Sequence, residues 1–402
     1  MQWLLKKLKD GERFTLDDFI NVEGDNFPLL YELKSTRQDG IWHKEGNVHI
    51  HTNMVLSEAC TLIEDNEVNL SLEEKSILVL SAIFHDIGKT STTKEVEVEI
   101  DGENRIISPR HPEVGASYLQ YRLDLGNADI EKSVIDVVMH HHDVRRCIQG
   151  NSFESEILYI TRNVSGKMLY LLEVADIKGR ICPDQEMLLF ELEIFREYAE
   201  RTNCFYEKGD LDKRLIQYFK ESGINIDINS HSFIKTKYDL LNGIIDEPHT
   251  GLTKHYQNIN PSIGYILVGL SGSGKTTTAS KIAKAEHVET IISTDSMRKG
   301  NKKEDRKEAY RLMLEKVKEC LREKKSFIVD ATNIRADSRD RIHELICQYD
   351  GLSCVVYIGT NINKCIENDK TRNIESQVGK EVICKQREGF QIIKDKQYHM
   401  VY

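Results

Sequence analysis

No apolar run in this 402-residue sequence is long enough to cross a bilayer, and no low-complexity tract or internal repeat appears in it. The stretch Met1 to Asp10 has only Trp3, Leu4, Leu5 and Leu8 as strongly apolar residues, set among three lysines, so it lacks a signal-peptide core. A soluble, cytoplasmic protein without a membrane partner is the expectation. The nine cysteines (60, 147, 182, 204, 320, 347, 354, 365 and 384) include no C-x-x-C pair. Their scatter argues against a zinc ribbon or a disulfide scaffold and fits reduced thiols.

Charge is abundant and unevenly placed. With 30% charged and 40% hydrophobic residues, the chain can build two or three cores. Residues 263–402 hold 26 Lys/Arg against 20 Asp/Glu, net +6, whereas residues 1–262 hold 29 against 45, net −16. A positive excess in the C-terminal part suits an anionic substrate, although charge alone points only weakly to nucleic acid.

The most specific stretch is Gly269-Leu-Ser-Gly-Ser-Gly-Lys-Thr276, between the apolar run Tyr265–Val268 and a helical segment from Thr277 to Lys284. It satisfies G-x-x-x-x-G-K-[ST] in the strand-loop-helix setting that motif requires. Gly269, Gly272 and Gly274 let the backbone N–H groups, those of Ser271 and Ser273 among them, turn inward around phosphate oxygens. The helix start at Thr276-Thr277 adds its positive end, Lys275 reaches the β/γ-phosphates, and Thr276 offers a hydroxyl to Mg²⁺. The expected cofactors here are ATP or another NTP, with Mg²⁺. Three more short β-branched runs follow, Thr290–Thr294, Ser326–Asp330 and Ser353–Ile358, separated by helical stretches at 305–324 and 336–349. That alternation predicts an α/β domain over 263–402 with a parallel sheet wrapped on both faces.

Asp295 follows the second of these strands, at the end where ligands bind in open α/β sheets. It could take the proton of an attacking hydroxyl, and Arg298, one turn on, could grip a phosphate. Asp330 ends an apolar strand in a Walker-B-like place, and Arg372 lies in a charged segment ahead of Val382–Phe390, where a lid would close on the phosphoryl group. In combination, residues 263–402 resemble polynucleotide 5′-kinases: phosphate loop, Asp-x-x-Arg after the second strand, Asp330-Ala-Thr-Asn333, and an arginine lid before a valine-led helix. The lid departs from that pattern. Ser376, Gln377 and Lys380 occupy the stretch where many such kinases carry a second arginine, and an ammonium at Lys380 cannot reproduce a bidentate fork.

The N-terminal part reads as helical. Ser71 with Glu74 three residues on predicts a capped, buried helix through Ile77–Phe84 that ends at His85-Asp86. Val96–Ile100 and Arg105–Ile107 alternate about Asp101-Gly102 and predict a β-hairpin. Helical patterns cover Pro112–Leu125, Ile130–His142, Lys167–Asp176, Gln185–Thr202, Leu211–Ser222 and Tyr238–Ile245, and residues 246–262 read as the linker. The domain boundaries follow as 1–185, a helical connector and linker over 186–262, and 263–402.

Histidines and aspartates recur at the ends of the predicted helices: His51, His85-Asp86, His111, His140-His141-His142 and Asp176. Imidazole with carboxylate suits Mn, Fe, Co, Ni or Zn better than Ca. Over about residues 43–180 this series resembles the all-α HD phosphohydrolase superfamily, carried by His85-Asp-Ile-Gly-Lys89, His111-Pro-Glu-Val-Gly-Ala116 and Asp176-Ile-Lys-Gly-Arg180. The resemblance implies one or two divalent transition metals. It places the first on His51, His85, Asp86 and Asp176, and the second on His111 and one of the triple histidines. His141 fits the family spacing, with His140 as runner-up. Lys89 and Arg180 would be anion partners, with His43 and His49 as bystanders. Two such metals, roughly 3.5–4 Å apart, would activate water and clamp phosphate oxygens.

Asn26–Leu33, Ile41–Gly46 and His51 are similar to the opening of bacterial proteins that join an HD domain to a polynucleotide kinase. The resemblance implies a bifunctional nucleic-acid end-healing enzyme. It would phosphorylate 5′-OH RNA or DNA ends, remove a 3′- or 2′-phosphate or open a 2′,3′-cyclic phosphate, and deliver ends to a ligase. Two other readings stay open: a small-metabolite or nucleoside kinase fused to a nucleotide phosphohydrolase, and an HD domain that only senses nucleotides. Oligomeric state is not readable from the sequence.

Overall fold

The computed structural model describes residues 2–65, 68–97, 104–148, 153–255, 261–297, 300 and 303–402. It separates into two compact units, Met1–Leu211 and Asp212–Tyr402.

The core of the first unit is built from α1 (Val48–Glu64), α2 (Leu72–Phe84), α3 (His111–Leu119), α4 (Ala128–His140), α5 (Gly166–Lys178) and α6 (Gln185–Arg201). Helix α2 is the axis, packed against α1, α4 and α5. All nine residues from Ser76 to Phe84 are buried, as expected of a helix that is apolar all round rather than along one stripe. Its start is fixed locally. The Ser71 hydroxyl accepts from Glu74 N, and the Glu74 carboxylate accepts from Ser71 N, a reciprocal box whose loss costs about 1 kcal/mol. Asn47 caps α1 with a single bond, its side chain accepting from Ile50 N.

Helix ends therefore converge. His51 sits in the first turn of α1, His85-Asp86 directly after α2, His111 at the start of α3, His141 directly after α4, and Asp176 in the last turn of α5. Gly88 makes part of this possible, because a Cβ there would lie 2.1 Å from the His111 carbonyl oxygen. The strands β1 (Lys94–Glu97) and β2 (Asn104–Ile107) pair antiparallel from Lys94↔Ile107 to Glu97↔Asn104. The hairpin's expected turn at Asp101-Gly102 lies outside the described residues.

In the second unit, α7 (His231–Leu241) and α8 (Pro248–His255) pack on each other. Helix α7 replaces the expected Tyr238–Ile245; it starts earlier because the Ser230 hydroxyl caps it by accepting from Phe233 N. Helix α8 falls within the stretch read as linker. Its contact runs through Gly251, where a Cβ would meet Thr236 Oγ1 at 2.5 Å. An approach through glycine leaves no apolar stripe to read.

The sheet that follows is α/β and parallel throughout. Its strands are β3 (Ile263–Val268), β4 (Thr290–Ser293), β5 (Phe327–Asp330), β6 (Leu352–Tyr357) and β7 (Met400–Val401), in the order β4-β5-β3-β6-β7. Side chains alternate across it. Tyr265, Leu267, Ile328 and Cys354 cluster with Ala279 of α9 (Lys275–Ala285), while Gly264 abuts Ile346. The connecting helices are α10 (Thr294–Met297), α11 (Lys303–Arg322), α12 (Ala336–Gln348), α13 (Ile362–Lys370) and α14 (Lys380–Glu388). Strand β7 is too short to show a period in the sequence. Among the described residues no helix is long and apolar enough to cross a membrane, and all nine cysteines are free thiols.

Candidate functional site

Each unit holds a candidate site. In the first, four histidines share one arrangement. Nδ1 of His51 lies 3.2 Å from Gly179 O, that of His85 2.9 Å from Ala82 O, that of His111 2.8 Å from Ser108 O, and that of His141 2.7 Å from Val138 O. A carbonyl oxygen only accepts, so each Nδ1 carries the hydrogen, and in the neutral ring Nε2 keeps the lone pair.

Those Nε2 atoms converge. His85 Nε2 is 3.3 Å from His51 Nε2 and 3.3 Å from Asp86 Oδ2. His51 Nε2 is 2.9 Å from Asp176 Oδ1, and His111 Nε2 is 3.2 Å from Asp86 Oδ1. His141 Nε2 is buried without any hydrogen-bond partner. Lone pairs facing lone pairs, with a buried orphan acceptor beside them, are costly unless a cation lies among them. The residues thus fit divalent metals, and imidazole Nδ1–H groups held by carbonyls are the usual support for such ligands.

The charges agree. Burial opposes ionisation of Asp86, yet the Lys89 ammonium beside it holds its carboxyl well below the usual carboxylate range. Burial likewise opposes ionisation of Asp176, and the Arg180 guanidinium outweighs it. Burial pushes the His141 imidazole down to about 3, which keeps its ring neutral. Lys89 Nζ lies 2.7 Å from Asp86 Oδ2 and donates to Gln38 Oε1, and Arg180 pairs with Asp176. Both expected anion partners are therefore engaged with carboxylates of the centre.

The structure separates the triple histidines. His140 turns away, its Nδ1 2.8 Å from Asp143 Oδ2, its Nε2 3.3 Å from Arg162 and its ring against Tyr159. His141 joins the cluster, with its ring 5.6 Å from that of His85 and 5.4 Å from that of His111. His142 lies beside them, bonded to Arg145.

Glu45 is a residue the sequence reading missed. Its carboxylate is buried; Oε1 lies 2.8 Å from His43 Nδ1 and 3.1 Å from His51 Nδ1, and Oε2 accepts from Ile181 N. One carboxylate thus ties His51 to the chain just beyond Asp176 and Arg180. The Glu45→Gln variant is expected to bind Mn²⁺ about 10-fold more weakly, with an unchanged melting temperature. Calorimetric titration checks this, and wild-type affinity would refute it. The available signal was the His43-Lys-Glu-Gly46 run, whose partner Ile181 lies far away in sequence.

In the second unit, the phosphate loop leaves the C-terminal end of the central strand β3. Gly272 has φ +80°, and a Cβ there would lie 2.2 Å from the Cys365 carbonyl, so no larger residue fits. Thr276 Oγ1 donates to Asp330 Oδ2 at 2.8 Å, joining the loop to the end of β5; these two side chains could hold Mg²⁺. Lys275 Nζ donates to Leu270 O. Burial pushes its ammonium down to about 8; Asp330 opposes that, Arg372 reinforces it, and Asp295 opposes it.

Asp330, Arg372 and Asp295 therefore all lie close enough to Lys275 to act on its charge. Asp295 is exposed in α10, directly after β4, and Arg298 lies outside the described residues. Arg372 Nη1 is 3.7 Å from Asp369 Oδ1, and the buried Asp369 carboxylate also accepts from Val378 N and Gly379 N. Gln386, which the sequence reading missed, accepts from Ser271 N and donates to Ser271 Oγ, so α14 touches the loop directly. Lys380 starts α14 and is exposed.

A family model described as an HD domain matches residues 48–159, and one described as an AAA domain matches residues 265–393. The N-terminal part of the chain is thus similar to HD domains, and the C-terminal part, which carries the phosphate loop, to AAA domains. The first match spans His51, His85, Asp86, His111 and His141 and ends before Asp176; the second spans the phosphate loop, Asp295, Asp330 and Arg372. Among curated proteins, the chain is 37% identical over 70 residues to a multifunctional CCA protein of Mannheimia succiniciproducens and 34% identical over 70 residues to that of Pasteurella multocida. Each alignment covers 17% of this chain and 16% of the relative. A gluconokinase structure from Sinorhizobium meliloti aligns at 19% identity over 33% of this chain and 76% of its own, with a TM-score of 0.26.

Proposed function

We propose that the chain is a bifunctional enzyme that heals nucleic-acid ends. The P-loop unit transfers the γ-phosphate of an NTP to a 5′-OH RNA or DNA end. The HD unit removes a 3′- or 2′-phosphate or opens a 2′,3′-cyclic phosphate, and the product ends suit a ligase. The observation that carries the reading is that one chain holds both a cluster of inward-facing imidazole lone pairs with two anionic carboxylates and a phosphate loop whose lysine lies near Asp330 and Asp295.

In the P-loop unit, arriving phosphates restore the full charge of Lys275, Thr276 and Asp330 hold Mg²⁺, and Asp295 takes the proton of the attacking hydroxyl. Arg298 grips an acceptor phosphate, and Arg372 leaves Asp369 for the phosphoryl group. In the HD unit, His51, His85, Asp86 and Asp176 hold one divalent metal, and His111 and His141 serve a second. Bound metals would supply an activated water and Lewis acidity toward phosphate oxygens. Lys89 and Arg180 keep the carboxylates ionised and aimed.

The nucleic-acid substrate is supported by the net +6 of residues 263–402 and by the resemblance of the Asp295–Arg298 and Asp330–Asn333 stretches to polynucleotide kinases. The test is end-group analysis of one oligonucleotide bearing a 5′-OH and a 3′-phosphate, incubated with ATP and with Mn²⁺, Co²⁺, Ni²⁺ or Zn²⁺. A 5′-phosphate and a 3′-OH are expected. Phosphorylation of free nucleosides or small polyols in place of the oligonucleotide would overturn the substrate class.

A further inference from the structure

His142 has the opposite polarity from its neighbours. Its Nδ1 lies 3.2 Å from Arg145 Nη2. A guanidinium only donates, so this Nδ1 accepts and the ring hydrogen sits on Nε2. In His51, His85, His111 and His141, by contrast, the carbonyl on Nδ1 leaves the lone pair on Nε2. His142 nonetheless sits at the cluster: a ring nitrogen lies within 4.8 Å of ring nitrogens of both His111 and His141, and the rings are 5.0 and 4.3 Å apart. With Nδ1 taken by Arg145, its ring has an N–H group and no spare lone pair, beside neighbours whose Nε2 atoms are acceptors.

Arg145 is held from behind. Its Nε lies 3.3 Å from Oε2 of Glu173, a wholly buried carboxyl one turn before Asp176 whose Oε1 has no hydrogen-bond partner. The Arg145 side chain remains 21% exposed, so it reaches the solvent edge. A guanidinium beside a divalent-cation site is repelled by the metal, and only an anion lying between them turns that repulsion into attraction.

We propose that His142 and Arg145 form an anion subsite at the edge of the HD centre, donating to phosphoryl oxygens of a phosphomonoester or of its phosphate product, and that His142 is not a metal ligand. The proposal rests on the HD unit being a metal-dependent phosphohydrolase.

The test measures Mn²⁺ stoichiometry and then inorganic phosphate binding on the Mn²⁺-loaded full chain, in a Lys275→Ala background that silences the phosphate loop. His142→Gln and Arg145→Lys are expected to keep the parent's Mn²⁺ content and to bind phosphate at least about 10-fold more weakly, as the loss of a charge-assisted donor implies. His141→Gln is expected to lose Mn²⁺ instead. Two results overturn the subsite while leaving the metal centre intact: phosphate affinity unchanged in both variants, or Mn²⁺ lost from His142→Gln. A parent protein that takes up no Mn²⁺ overturns the phosphohydrolase reading itself, and the subsite with it.

Discussion

Lys275→Ala should transfer no measurable γ-phosphate to a 5′-OH oligonucleotide, a loss of about 10³-fold or more, while removal of a 3′-phosphate continues at the parent rate. Lys275 is buried in the phosphate loop, where its charge would reach the β/γ-phosphates of a bound NTP. Asp295→Ala should lower the same transfer by about 10²–10⁴-fold, the range for a positioned general base. Asp295 follows β4, Asp330 ends β5 and the loop leaves β3, so three neighbouring strands bring the proposed base, the proposed metal-holding carboxylate and the phosphate loop to one end of the sheet. None of these residues belongs to the unit that holds the histidine centre. Label transfer from γ-labelled ATP and release of phosphate from a 3′-phosphorylated strand read the two activities separately. Loss of both in a folded Asp295→Ala protein would show that they are not independent.

The two centres were legible because their chemistry is written locally. The phosphate loop is eight consecutive residues, and its glycine at 272 is demanded by a positive φ and by the Cys365 carbonyl. His85-Asp86 follows a helix whose cap, Ser71 with Glu74, is equally local. What could not be read depends on contacts between distant segments. Glu45 supports His51 only because the chain returns at Ile181. Gln386 touches Ser271 across more than a hundred residues.

The choice between His140 and His141 is finer still. Adjacent residues at a helix end point about 100° apart, so the family spacing that favours His141 still leaves His140 as runner-up until the partners of each ring are known. In the structure Asp143 and Arg162 engage both ring nitrogens of His140, whereas Val138 O engages only Nδ1 of His141. Polarity is invisible in the letters as well. His141 and His142 are the same residue type, and only their partners, a carbonyl and a guanidinium, distinguish an acceptor from a donor.

His85→Ala and Asp86→Ala should remove phosphohydrolase activity by more than about 10²-fold and lower metal content together, while kinase activity with Mg²⁺ persists. His85 offers an Nε2 lone pair at the meeting point of His51, Asp86 and Asp176, and Asp86 reaches toward His85 and His111 with its two oxygens. Deleting Asp86 also leaves Lys89 buried without its carboxylate, so this variant should melt lower than His85→Ala, and melting curves must accompany the assay. His111→Ala and His141→Ala should lower occupancy of the second metal more than the first, because His51, His85, Asp86 and Asp176 remain. His140→Ala is the internal control: its ring is committed to Asp143, Arg162 and Tyr159, so metal content and phosphate release should stay at the parent level. Metal analysis by mass spectrometry on each variant decides. Full occupancy of two sites in His85→Ala, Asp86→Ala, His111→Ala and His141→Ala would remove the basis for a dinuclear centre, and loss of metal from His140→Ala with none from His141→Ala would shift the ligand by one residue.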